Sequence, residues 1–131
     1  MQILYITPSP PNSMSRIRTQ NIIKAMQKLG HQVTLVSFVY NDNDKSMFKC
    51  LLGLLLPIPL RVLYCNSSKM KNTIERCLIE KDYDLIYIKR LRMAQYAYLG
   101  RQKHITTIVD ITDSLTKYYE RISKKESGWK K

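Results

Sequence analysis

Glycine is scarce in this chain, and its scarcity excludes two common nucleotide-binding loops. The 131 residues include four glycines, Gly30, Gly53, Gly100 and Gly128. An apolar stretch at residues 2–6 is followed by a loop, residues 7–15, that contains no glycine. P-loops and dinucleotide-binding loops need glycine there because the backbone must approach the phosphates closely. We therefore predict no nicotinamide, flavin or other cofactor in this chain.

Cysteine and histidine are also few, which argues against metal sites and nucleophilic catalysis. The three cysteines, Cys50, Cys65 and Cys77, lie among apolar neighbours and show no C-x-x-C spacing, so reduced, buried thiols are expected. The two histidines, His31 and His104, are not accompanied by a G-x-S-x-G motif. Neither a metal site nor a catalytic triad is predicted.

Acidic residues are outnumbered by basic ones. The chain has 22 Lys and Arg against 10 Asp and Glu, a formal net charge of +12. Such an excess attracts phosphates, whether they belong to nucleic acid, anionic lipid or a nucleotide. It does not discriminate among these three ligands.

No apolar run is long enough to span a bilayer. The longest, CLLGLLLPIPL at residues 50–60, falls short of the ~20 residues required and contains Pro57 and Pro59. We expect a short buried helix at residues 47–56 and an extended stretch to Tyr64; the alternative is a surface that touches lipid. With no leader pattern before the first strand, a cytoplasmic location is expected, with peripheral membrane contact as an open alternative.

Alternating strand and helix patterns indicate an α/β fold. Four short apolar stretches, typical of strands covered on both faces of a parallel sheet, occupy residues 2–6, 31–39, 84–88 and 105–109. Helical patterns occupy residues 16–29, 67–81, 91–99 and 115–122. This order predicts a doubly wound, Rossmann-like parallel sheet with helices on both faces, in a single domain over residues 1–122. The basic tail, residues 123–131, is expected either to fray or to mark a truncation point.

Three details support the helices. The first places Ile17, Ile22, Ile23, Ala25, Met26 and Leu29 largely on one stripe and is expected to end at Gly30. The second has Ser67 or Ser68 as a candidate N-cap and directs Met70, Ile74, Cys77 and Leu78 inward. The third is expected to end at Gly100.

The loop after the first strand is the best candidate for a binding site. In an open parallel sheet, ligands bind beyond the carboxyl ends of the strands, beside the first strand. The next helix would present backbone N–H groups there, and Arg16 and Arg18 would add guanidinium groups suited to phosphate or carboxylate. The positive charge of these arginines is unfavourable near the N-terminus of a helix, and an anionic ligand would explain why they are there.

Two other groups of residues should reach the same edge. Lys89, Arg90 and Arg92 follow the strand at residues 84–88, where they either receive a phosphate or remain solvated. Asp110 and Asp113 follow the strand at residues 105–109. Asp113 either acts on an acceptor hydroxyl or caps the last helix.

The order of these segments resembles a known family. The stretch ILYITPSPPNSMSRIRTQNIIKAMQKLGHQVTLVSF resembles the start of family-four retaining glycosyltransferases, whose Gly-His-x-Val pattern is matched by residues 30–33. The stretches YDLIYIKRLRMAQY and IVDITDSLTKYYER resemble later segments of the members that build cell-surface polysaccharides. The resemblance extends over residues 2–121.

This resemblance implies half of a GT-B fold, in which two Rossmann-like domains face a cleft. The N-terminal domain mainly receives the acceptor, and the C-terminal domain holds the nucleotide-sugar and carries a Glu-x7-Glu motif, which this chain lacks. The expected partners are a sugar or lipid-linked acceptor, and a nucleotide-sugar only if a donor domain is supplied by a further segment or a second chain. By itself the chain is not expected to transfer sugar.

The predicted site follows from the position of these segments at the sheet edge and from the family resemblance. Residues expected to bind the acceptor are Asn12, Ser13, Ser15, Arg16, Arg18, Lys89, Arg90, Arg92 and Asp110, with Asp113 as the candidate catalytic residue. Two departures from the family matter. The glycine expected near the arginine is replaced by Ser13-Met14-Ser15, and a histidine found in many members is replaced by Lys89-Arg90.

A second function remains open, that of a basic module that binds nucleic acid or other polyanions. It would bind phosphates through the positive charge. The basic residues are, however, scattered over several elements, and no base-stacking or recognition-helix pattern is present.

Overall fold

The computed structural model describes residues 1–8, 17–38, 62–63, 65–111 and 122–123. In chain order the elements are β1 (Gln2–Thr7), α1 (Ile17–Lys28), β2 (Gln32–Ser37), α2 (Ser68–Glu80), β3 (Leu85–Lys89), a 3-10 helix (Leu91–Tyr96), α3 (Ala97–Gln102) and β4 (Thr106–Asp110). The predicted helix at residues 47–56 lies outside the described residues, as does the predicted helix at residues 115–122 except for Ile122, which is helical.

The four described strands form one parallel sheet in the order β2-β1-β3-β4. The predicted α/β class with a parallel sheet is therefore confirmed. β1 is central, and its residues Ile3, Leu4, Tyr5 and Ile6 are at most 2% exposed. Burial on both faces explains why this strand reads as a continuous apolar run rather than an alternating one.

Helices cover both faces of the sheet. Leu4, Ile6, Ile86 and Ile88 point to one face, where they join a cluster with residues of α2, the 3-10 helix and α3. The helical members of that cluster are Met70, Ile74, Leu78, Met93, Tyr96 and Leu99. Alternate residues of the strands point to the opposite face, where Lys89 contacts Thr19 of α1. The fold is therefore doubly wound.

The sheet order explains why α1 and the later described helices cover opposite faces of the sheet. The chain moves from β1 outward to β2 in one direction, then returns past β1 to β3 and on to β4 in the other. Right-handed crossovers in opposite directions must pass over opposite faces. The carboxyl ends of β1 and β3 consequently form the switch point at which the chain leaves in two directions.

Several element boundaries differ from the predictions. Thr7, Lys89 and Asp110 belong to their strands, and β2 ends at Ser37. Val62 and Leu63, expected in an extended stretch, are instead helical, because the amides of Cys65 and Asn66 donate hydrogen bonds back to their carbonyls. Cys65 and Cys77 are thiols, and Cys65 is buried as predicted, whereas Cys77 is half-buried.

The apolar stripe predicted for α1 is only partly correct. Ile17 and Leu29 are 66% and 74% exposed, and Thr19 is the one buried residue within the helix. Ile22, Ile23 and Met26 are half-buried, and Ala25 is exposed. Both ends of the predicted stripe therefore lie in solvent. In α2, by contrast, three of the four residues predicted to face inward, Met70, Ile74 and Leu78, are buried, and the fourth, Cys77, is half-buried.

Gly100 does not end its helix as predicted. It lies inside α3 and is buried, and the helix continues to Gln102. A Cβ atom at this position would lie 2.8 Å from Cδ1 of Ile86 and closer still to the hydroxyl of Thr107. Glycine is needed there because α3 packs directly against β3 and β4.

Substituting alanine at two glycines should separate steric from backbone effects. Gly100→Ala is expected to lower the free energy of unfolding by about 1–3 kcal/mol through overpacking. Gly30→Ala, at a φ of 81° with open space around it, should cost about 1 kcal/mol through backbone strain alone. Urea unfolding measures both.

The matched control is Thr107→Ala, which removes one of the clashing groups. It should recover part of the loss in Gly100→Ala and leave the cost of Gly30→Ala unchanged. If Gly100→Ala lowers the free energy of unfolding by the same amount in the wild type and in Thr107→Ala, α3 does not pack as described.

Candidate functional site

Lys89 is the last residue of β3 and lies at the carboxyl edge of the sheet. It is only 8% exposed, and its ammonium group donates a hydrogen bond to the hydroxyl of Thr19 in the first turns of α1. Burial of an ammonium group is tolerated only when its donors find partners. The prediction that this lysine lies beyond the strand is wrong, and of the two alternatives given for it, solvation does not apply, since it is held between β3 and α1.

Asp110 links three elements at the same edge. Its carboxylate accepts a hydrogen bond of 2.9 Å from the hydroxyl of Tyr87, on β3. The same carboxylate oxygen lies 3.7 Å from the guanidinium group of Arg18, on α1. Its backbone carbonyl accepts a hydrogen bond of 3.0 Å from the amide of Arg90. Asp110 therefore fixes the positions of α1, β3 and the loop after β3 relative to β4.

Two stacked tyrosines lie beneath this cluster. The rings of Tyr5 and Tyr87, paired in the register of β1 and β3, have centroids 4.9 Å apart. Burial raises the pKa of Tyr87 to about 12, with the hydrogen bond to Asp110 and its negative charge adding to the effect. Burial also raises the pKa of Tyr5, assisted by Tyr87 and Asp110. Both tyrosines stay neutral at physiological pH.

The hydroxyl of Tyr5 is buried and forms no hydrogen bond of good geometry with the described residues. A weak interaction with Thr19 lowers the pKa of Tyr5, but burial raises it and has the larger effect. Thr19 also accepts a hydrogen bond from Lys89. Tyr5, Thr19 and Lys89 therefore form one buried polar cluster beneath the first turn of α1.

Arg90 has an unusual backbone conformation. It follows β3 with φ 74° and ψ 140°, begins the 3-10 helix and is exposed. L-residues rarely adopt such a conformation, which costs on the order of 1–3 kcal/mol. Arg92, two residues later, is half-buried, and its Nε atom is buried without a partner among the described residues.

The structure brings together part of the predicted site. Arg18, Lys89, Arg90 and Asp110 meet at the carboxyl edge beside β1, and Arg92 follows on the 3-10 helix. The other predicted residues, Asn12, Ser13, Ser15, Arg16 and Asp113, lie outside the described residues.

Three participants were missed by the sequence analysis. Thr19, Tyr5 and Tyr87 carry no charge and were assigned only to secondary structure. A signal for Tyr87 was available, because Tyr87 and Lys89 are two residues apart and so share one face of a strand. No comparable signal marked Thr19, whose contact with Lys89 spans 70 positions.

A cavity of about 380 Å³ lies at the opposite, amino edge of the sheet. It is lined by Leu78, Lys81, Asp82, Tyr83, Asp84, Lys103, His104, Ile105 and Thr106. Asp84 is already engaged there by the backbone amide of Gln2, at 2.7 Å. This cavity is separate from the candidate site, and its mixture of acidic and basic groups favours no single ligand.

The candidate site is suited to holding an anion and a hydroxyl group. Arg18, Arg90 and Arg92 offer guanidinium donors, and Asp110 is the one acidic residue at this edge in the described part of the chain. Among the described residues no group of histidine, cysteine and acidic side chains could hold a metal ion. Within the same residues, no helix is long and apolar enough to cross a membrane.

No protein-family model, curated protein or solved structure matches the chain.

The raised tyrosine pKa values predict loss of stability at alkaline pH. An unfolded tyrosine loses its proton near pH 10, whereas folded Tyr87 keeps it until about pH 12. Between these values the folded state binds more protons, so the free energy of unfolding should fall as pH rises, by at most about 1.4 kcal/mol per pH unit for each such tyrosine. Urea unfolding at several alkaline pH values measures the slope.

Asp110→Asn should make this slope shallower. The substitution removes the charge that helps to raise the pKa of Tyr87, while Tyr96, whose pKa is raised by burial elsewhere, keeps its contribution. Tyr87→Phe should also flatten the slope. Identical slopes in the wild type and both variants would contradict the described contact between Tyr87 and Asp110.

Proposed function

We propose that the chain is the acceptor-binding domain of a GT-B glycosyltransferase that acts in cell-envelope polysaccharide synthesis. The observation that carries the proposal is the convergence of Arg18, Lys89, Arg90 and Asp110 at the switch point of a doubly wound sheet. Ligands bind at such points in open α/β sheets. The resemblance of three segments, in order, to family-four glycosyltransferases supplies the reaction class.

The proposed role of the domain is to position the acceptor. Exposed Arg18 and Arg90 would contact its charged groups, and the Asp110 carboxylate would accept a hydrogen bond from one of its hydroxyls. Lys89 is buried, so its role is to support the edge and contribute positive potential rather than to contact the acceptor directly. Holding the acceptor hydroxyl in a fixed position lowers the entropic cost of the transfer step.

The donor would come from a second domain. In the GT-B arrangement a nucleotide-sugar binds to a separate Rossmann-like domain across the cleft. We propose that this domain is supplied by a further segment or by a second chain, and that the transfer reaction requires both. Asp113 stays the candidate catalytic residue on sequence grounds.

Sugar transfer in the presence of a donor domain tests this proposal. With the chain fused to the donor-binding domain of a family-four glycosyltransferase, Arg18→Ala and Asp110→Asn should each lower kcat/KM about tenfold or more, the effect of losing a charge-assisted contact. Arg101→Ala is the matched control, because this exposed arginine on α3 lies toward the opposite edge of the sheet.

Wild-type kcat/KM in Arg18→Ala and Asp110→Asn would remove the proposed site. Thermal unfolding of each variant distinguishes a local effect on the acceptor from a loss of fold. A fusion protein with no transfer activity on any acceptor would count against the proposed function itself.

Binding to nucleic acid is the competing function, and its salt dependence distinguishes it. A module dedicated to phosphate contacts loses affinity steeply between about 50 and 200 mM salt. We expect weak binding that Arg18→Ala and Arg101→Ala reduce equally, because it would reflect the net charge of +12 alone. Filter binding measures it. Tight binding lost selectively in Arg18→Ala would favour the competing function.

A further inference from the structure

We draw no further inference here: the strongest candidate, the cavity at the amino edge of the sheet between the segments that lead from α2 into β3 and from α3 into β4, has no buried polar side-chain atom without a partner among its described lining residues, and nothing in the structure shows what ligand would occupy it.

Discussion

The parallel pairing of β1 with β3 is the contact on which the sheet and the candidate site both depend. It places two strands from opposite crossovers side by side, which creates the switch point at their carboxyl ends. It also stacks the buried ring of Tyr5 on the half-buried ring of Tyr87 in one layer. Above that layer, Lys89 and Asp110 end their strands directly opposite each other in the register of β3 and β4. The pairing of the apolar strands therefore determines where these charged groups meet, at the carboxyl edge of the sheet.

A few specific contacts provide partners for the buried and charged groups at this edge. Thr19 accepts a hydrogen bond from Lys89, and Asp110 accepts from Tyr87 while it faces Arg18. These polar contacts join α1 to the sheet in addition to its apolar stripe, which is largely half-buried or exposed. Because residues of α1 take part in the contacts at this edge, the geometry of the site and the packing of α1 are linked.

Sequence periodicity was sufficient to predict the strands and helices but not the contacts between them. Continuous apolar runs located β1 and β3 to within a residue or two, since burial on both faces leaves little choice of residue. The inward residues of α2, Met70, Ile74 and Leu78, followed from helical spacing alone. Gly100 was misassigned as a helix end, because a glycine required for close packing and a glycine required for a turn look the same in sequence.

The sequence by itself determined the alternation of strands and helices, the excess of positive charge and the absence of a glycine-rich phosphate loop, because these depend on local composition and spacing. Only the tertiary structure decided that Lys89 is buried against Thr19, that Asp110 joins three elements and that Arg90 is strained. The contacts of Lys89 and Asp110 join residues separated by 20 to 92 positions. They arise from how strands pair and how helices cross, which no local pattern specifies.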